Sequence, residues 1–434
     1  MIRFRNAAAL LAAFILLFAS AFAEDEIQEM EIPLDDLLSD TPVQDIQSAQ
    51  EETAEVFTPS YGSPWTEDLG SSYWTTPMDI TDEEAVWNML MEPIYVIDMG
   101  KKKTNRSQMN LYQEPDSSSK VVGEITNLSQ GLRILEHLDN GWSHVECYSS
   151  SFISLAGHET GTVGAWNILV SGYIETKYIK TVQPTDKLAL VVDKLTQRVY
   201  VFQEGKMIAE LLCSTGLPAY NKEGRKDQPY NETRSGEFLL ISKTGPLKSD
   251  RMICSDAIRF NAGDEIHEVP HVKNADDSKN YKATEPYLGQ KKSHGCIRVQ
   301  RLKNPDGINM AWIWSRVTNK LVGKVKIVIW EDWQGRQLPV PSDDTVLYYN
   351  PNKGEYYHSV DYCPYSMKKP ITFTPFLYSQ LDEEPYSKLK PCPHCAPVRR
   401  KAEIEEINET YAPGGDHEEY LNSQRQAYYD YLAK

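Results

Sequence analysis

Apolar and polar residues alternate in short runs through most of the chain beyond residue 90. From about Met91 to Lys180 the runs LYQEPDSSSKVVGEI, GLRILEHLDNGWSHVEC and SGYIETKYI are separated by Asp, Asn, Gly and Ser turns, which predicts short antiparallel strands. Leu132, Ile134 and Leu135 precede Asp139-Asn140-Gly141 and Trp142, a hairpin signal. From about Asp186 to Glu331 the runs KLALVVD, QRVYVFQEG, MIAELLCSTG, GEFLLISK and VKIVIW predict a mainly β domain. Helical spacing is brief: Met310, Trp312, Ile313 and Val317 share one face, the spacing of core packing. A polar connection after Trp333 leads to a compact piece from about Val346 to Arg400. The charged tail, residues 401–434, contains a predicted amphipathic helix over 417–433, with Tyr420, Leu421, Tyr428 and Leu432 near one side.

The two ends of the pattern differ from this. Residues 1–23 combine Arg3 and Arg5, the uncharged run from Ala7 to Phe22 and an Ala21-Phe22-Ala23 site. That is the layout of a secretory signal peptide, the apolar run being shorter than the roughly 20 residues a membrane span needs; an uncleaved anchor is the alternative. No later run is apolar enough to span a bilayer, so no stable span is expected after cleavage, and the expected location is secreted or periplasmic. Residues 24–90 are acidic, with scattered Pro, Ser and Thr, and read as a disordered linker that cannot repay its ordering entropy. Tyr61, Trp65, Tyr73 and Trp74 are its candidates for local docking.

Charge matters only once it is located. The 434 residues carry a formal charge of −17, but residues 24–100 hold 20 acidic residues and no Lys or Arg. Residues 101–434 are nearly neutral, with 43 basic and 42 acidic side chains. No concentrated basic face is offered, which excludes a nucleic-acid partner on electrostatic grounds.

Chemistry concentrates at Ser293-His294-Gly295-Cys296-Ile297-Arg298-Val299. A thiol becomes a good nucleophile when a nearby His or oriented amides favour its thiolate, and Gly lets the backbone approach a reacting carbonyl. Four further runs stand in order with it: LALVVDKLTQRVYVF, Ser214-Thr215-Gly216, Arg234-Ser235-Gly236-Glu237-Phe238 and Ile266-His267-Glu268-Val269-Pro270. Together they resemble the L,D-transpeptidase catalytic domain over about residues 186–331. The resemblance implies a β-sandwich-like fold and acyl transfer on peptidoglycan stem peptides. By the same carry-over Cys296 is the nucleophile, His267 its base, Gly295 and Cys296 supply oxyanion amides, His294 orders the motif, and Arg298 and Ser293 meet substrate. Two departures stand out: Glu268 occupies a position where a small residue is common, and His267 lies 29 positions before Cys296, so His271, otherwise a surface residue, competes as base. The polar stretch Lys273–Lys292 reads as a long loop beside the site. No cofactor is expected for catalysis.

Leu111-Tyr112 to Pro115, Gly141-Trp142 and Gly172-Tyr173-Ile174 resemble bacterial SH3-like barrels, which places such a module at 91–183 with an insertion around 149–167. In the last quarter, His358, Cys363, Cys392 and Cys395 are spaced H-x4-C and C-x2-C. This set suits a structural tetrahedral zinc in a ribbon-like module at 346–400; a disulfide from Cys363 to one of the pair is the alternative in an oxidising space. Cys147, Cys213 and Cys254 are expected to be buried thiols. The resulting expectation is an exported L,D-transpeptidase of undetermined oligomeric state, set against an L,D-carboxypeptidase that uses water and a non-catalytic wall-binding protein.

Overall fold

The apolar runs KLALVVD and VKIVIW become neighbouring interior strands of one large sheet because every second side chain along them finds a different hydrophobic layer. A computed structural model describes residues 77–150, 166–217, 231–249, 251–332, 336–352, 354–363 and 372–433, all within one compact unit. The signal peptide, most of the acidic linker with its four aromatics, and most of the 149–167 insertion lie outside these residues. The protein is mainly β, 37% strand and 15% helix.

Helix α1 (Glu83–Met91) opens the described chain. Strands β1 (Ile94–Ile97), β2 (Gln108–Tyr112), β3 (Val121–Thr126), β4 (Arg133–His137), β5 (Trp142–Tyr148), β6 (Leu169–Glu175) and β7 (Ile179–Val182) follow. They form a five-stranded sheet in the order β3-β2-β6-β5-β4 and a separate β1-β7 pair. Next come β8 (Ala189–Asp193), β9 (Arg198–Gln203), β10 (Lys206–Ser214), β11 (Gly236–Leu239), β12 (Ser242–Ser249), β13 (Met252–Asn261) and β14 (Asp264–Glu268). Two-residue strands β15 (Val272–Lys273) and β16 (Lys279–Asn280), then β17 (Ile297–Val299), helix α2 (Met310–Arg316) and β18 (Lys326–Trp330) complete the region. Its nine-stranded sheet runs β11-β18-β8-β9-β10-β17-β14-β13-β12. The pairs β18-β8 and β14-β17 are parallel.

Period-two alternation explains the layering. Leu190, Val192, Val199, Val201, Ile327 and Ile329 enter one core with Ile266, Ile297 and the α2 residues Met310 and Ile313. Their neighbours Ala189, Val191, Tyr200, Phe202, Val328 and Trp330 enter a second core built with the five-stranded sheet and α1. The edge of the large sheet is also covered, since Gly131 N–H donates to Glu237 O and Leu239 N–H to Ser129 O, both at 2.8 Å. Such pairing removes an open strand edge.

Two expectations change. The linker does not extend to residue 90: α1 buries Val86, Met89 and Leu90, and buried Lys326 donates to the Met89 and Glu92 carbonyls at 3.1 and 3.2 Å. A cation at those carbonyls stabilises the helix end. The C-terminal segment is likewise built into the protein. After β19 (Val346–Tyr349), β20 (Tyr356–His358), β21 (Thr374–Leu377) and β22 (Lys390–Pro391) come α3 (Lys401–Thr410) and α4 (Asp416–Leu432). Tyr428 Oη donates to Val122 O at 2.7 Å and Tyr431 Oη to Val121 O at 2.9 Å, docking α4 on β3.

The three parts meet at a buried ionic knot. Lys194 Nζ lies 3.2 Å from Glu232 and 3.0 Å from Glu331; Lys291 pairs with Asp332 and lies 3.5 Å from Glu232. Asn167 reaches Glu331 at 3.3 Å, Trp166 donates to Glu232 O at 3.0 Å, and the Tyr411 ring lies under Lys291. Burial works against the Lys194 charge, but Glu331, Glu232 and Asp332 outweigh it and hold its pKa above the ordinary value. Lys194→Met strands these carboxylates and is expected to cost about 3–5 kcal/mol, whereas Lys187→Met, at exposed pairs, should cost under about 1 kcal/mol. Urea denaturation of the two variants measures the difference.

Candidate active site

The site grows from a parallel pairing. Ile266 faces Ile297, His267 faces Arg298 and Glu268 faces Val299. Ile266 and Ile297 point into the core, so alternation turns His267 and Arg298 to the opposite face. Cys296 stands at the entrance to β17, where the Glu265 backbone works against the upward shift that burial imposes on its thiol. The strand expected to carry the base and the strand after the nucleophile are therefore direct neighbours.

The turn before Cys296 is held from outside the motif. Thr233 Oγ1 accepts from Gly216 N–H at 2.8 Å and donates to Gly295 O at 2.7 Å. Gly216 forms a bridge to Ser293, and a Cβ there would come within 1.8 Å of Asn231 O, so only glycine fits. Gly295 has φ +121°, a backbone conformation that likewise favours glycine. Ser293 is buried, and its hydroxyl donates to Cys296 O and accepts from Gly295 N–H. His294 is exposed and makes no hydrogen bond among the described residues, so Thr233 and Ser293, not its ring, order the turn.

The electrostatics favour a neutral resting pair. Burial, then Asp264 and Glu265, push the Cys296 thiol far up. Burial also lowers His267 to about 4, the Arg298 charge adding to the effect and a hydrogen bond to Glu268 O opposing it. That bond, His267 Nδ1 to Glu268 O at 2.7 Å, assigns the proton to Nδ1 and leaves Nε2 as the proton acceptor. Arg298 is half-buried, its pKa lowered by burial and raised by the nearby Cys254 and Cys296 thiols. Asp264 is engaged by Arg234 at 2.7 Å, whose guanidinium stacks on Trp166 at 4.0 Å.

His271 is not a surface residue. It is buried, paired through its backbone with Ile253 and packed against Tyr281 at 5.2 Å. Its charged neighbours are Lys279, Glu268 and Lys273, whereas Arg298, beside the nucleophile, acts on His267. Glu268 also acquires a role: it accepts from Tyr281 Oη at 2.6 Å and pairs with Lys279 at 3.6 Å, pinning the loop between β14 and β17. That loop forms one wall of a cavity of about 870 Å³, with Tyr281 and Leu288 facing Tyr356, Pro391 and Cys392 of the C-terminal piece.

Thr233 and Asp264 were missed by the sequence reading, because no local pattern joins them to Cys296, and Gly216 was quoted there as part of a run with no role of its own. The four C-terminal candidates do come together: ligand atoms of His358, Cys363, Cys392 and Cys395 all lie within 4.8 Å of one another. A second acidic group, Glu232, Glu331 and Asp332, is equally close, but Lys194 and Lys291 already fill it with ammonium groups. All seven cysteines are free thiols, and no helix among the described residues is long and apolar enough to cross a membrane.

Residues 187–329 match the sequence model of the L,D-transpeptidase catalytic domain. Among solved structures, the chain is similar to residues 123–326 of the L,D-transpeptidase from Xylanimonas cellulosilytica, at 16% identity and TM-score 0.23, covering 34% of this chain. The match spans 61% of that structure's length. It is also similar to an L,D-transpeptidase from Mycobacterium smegmatis, at 14% identity and TM-score 0.25, covering 56% of this chain and 92% of the other. A third, L,D-transpeptidase 3 from Mycobacterium tuberculosis, is 16% identical with TM-score 0.25 and covers 37% and 68%. A search of curated proteins found no match.

Two predictions follow from the site geometry. Because His267 is neutral above about 4, carbapenem acylation of Cys296 should be lost as pH falls through about 4, not near the unperturbed value of about 6.5; a stopped-flow pH profile measures this limb. Thr233→Val, which frees the Gly295 carbonyl, should slow the same acylation by up to about 100-fold with circular dichroism unchanged.

Proposed function

We propose that the protein is an exported L,D-transpeptidase that cross-links peptidoglycan through an acyl-enzyme on Cys296. The observation that carries this reading is the juxtaposition, within a domain of that family, of the Cys296 turn with the His267 strand.

His267 Nε2 takes the Cys296 proton as sulfur attacks the carbonyl joining the third stem residue to D-Ala. Gly295 N–H is held by Ser293 Oγ, which leaves the Cys296 N–H as the oxyanion donor and Arg298 as the nearby positive charge. Collapse breaks the amide bond, and D-Ala departs with the proton that His267 returns. An amine of a neighbouring stem then attacks the thioester, gives its proton to His267, and the thiol is regenerated. Since both groups rest neutral, proton transfer accompanies attack and does not precede it. The loop pinned by Glu268 is suited to limit water at the thioester.

The basic start, apolar run and Ala-x-Ala site of residues 1–23 support export. The five-stranded sheet over β2–β6 supports the SH3-like reading of the first module, as a rigid support for the catalytic sheet. The protein is to be incubated with disaccharide-tetrapeptide and the products read by mass spectrometry. Loss of D-Ala with dimer formation is expected, abolished in Cys296→Ala. Loss giving tripeptide alone makes the enzyme a carboxypeptidase, and absence of any Cys296-dependent product overturns the catalytic reading.

A further inference from the structure

The C-terminal piece has one small apolar core, Leu347, Tyr357, Phe376, Tyr378, Leu381 and Leu389, and around its cysteines the buried cluster among the described residues is just Cys363, Phe373 and Cys392. Small domains of this kind are commonly folded by a metal. The distances fit one. Cys363 Sγ and Cys392 Sγ are 3.8 Å apart, and Cys395 Sγ is 3.6 Å from His358 Nδ1. A tetrahedron with Zn–S near 2.3 Å and Zn–N near 2.0–2.1 Å has edges of about 3.8 Å between sulfurs and about 3.6 Å between sulfur and nitrogen.

The surroundings are those of a ligand set. His394 N–H points at Cys392 Sγ and Ser359 N–H at Cys395 Sγ, each at 3.4 Å, which stabilises thiolate charge. The His358 ring is stacked on Phe373 at 4.2 Å, which fixes its plane. Three of the four residues are buried.

The knuckle is also mechanically connected to the catalytic domain. Ala396 N–H donates to Cys392 O at 3.1 Å, and the chain then reaches Arg399, whose guanidinium donates to Gly289 O and Thr196 O. Gly289 lies on the loop that runs directly into Lys291 of the ionic knot and then the Cys296 turn, and its own N–H is held by Cys213 O at 2.7 Å.

We propose that His358, Cys363, Cys392 and Cys395 bind one Zn²⁺ in a closed tetrahedral site, and that the metal-held knuckle, through Arg399, sets the loop leading to Cys296. Binding releases the three thiol protons to solvent and leaves no open coordination position, so the ion is structural. Neither part depends on the transpeptidase reading, because both are read without turnover.

The purified protein should contain one equivalent of zinc by elemental analysis. Replacement by Co²⁺ should give thiolate charge-transfer bands and the intense visible absorption of a tetrahedral site. Cys395→Ser should lose both, while Cys254→Ser keeps them. On chelation, amide hydrogen exchange in residues 281–292 should accelerate by about tenfold or more. Arg399→Ala should reproduce that acceleration with zinc retained, which separates positioning from simple unfolding of the module. Absence of stoichiometric metal, or iron in its place, overturns the zinc assignment. Metal bound with unchanged exchange after chelation, or in Arg399→Ala, overturns the coupling to the loop.

Discussion

The placement of the catalytic turn depends on the buried knot of Lys194, Lys291, Glu232, Glu331 and Asp332. Its members come from the ends of two central strands, from the segment that carries Thr233, from the approach to Cys296, and they contact Asn167 of the first module and Tyr411 of the last. Charges taken out of water are tolerated only when every partner is in position. An apolar cluster would allow these segments to slide; two ammonium groups among three carboxylates restrict their relative placement far more sharply. Lys291 lies in the knot and Cys296 lies a short turn beyond it, so the placement of Cys296 is inherited from the assembly of all three parts.

The same economy appears at the two-sided sheet. Strands β8, β9 and β18 bury both faces, one against the interior of the catalytic domain and one against the first module and α1. The first module is thus continuous with the catalytic sheet and not a bead on a string, and α4 closes against its outer strand through Tyr428. A module fused in this way contributes to the rigidity on which a close His and Cys pair relies.

Neutral resting groups are a consistent theme of the site. Burial raises the thiol and lowers the imidazole, opposite displacements with one cause, desolvation of charge. Neither group carries charge at rest, so neither needs a buried counter-ion. Glu268, an unusual residue at its position, has its carboxylate turned to Tyr281 and Lys279, and its main influence is on the loop.

Local pattern determined much. Alternation in KLALVVD and VKIVIW predicted strands because each strand must satisfy two apolar layers, and the run around Cys296 was legible because its chemistry is contiguous. The four C-terminal candidates were legible only as two short spacings, His358 to Cys363 and Cys392 to Cys395, and the fold brings the two halves together. What the sequence left open was decided by partners far apart along the chain. Glu83–Met91 read as acidic spacer because its three buried residues find their core only in tertiary contact. Ser293 and His294 exchanged importance with Thr233, which lies 62 positions from the Gly295 carbonyl it holds. His271 became interior through its pairing with Ile253. Hydrophobic periodicity encodes which face of an element is buried, but not which distant donor will satisfy a buried carbonyl or which carboxylate will meet a buried lysine. Those choices are made only when the chain has closed on itself and every polar group taken from water must find a partner.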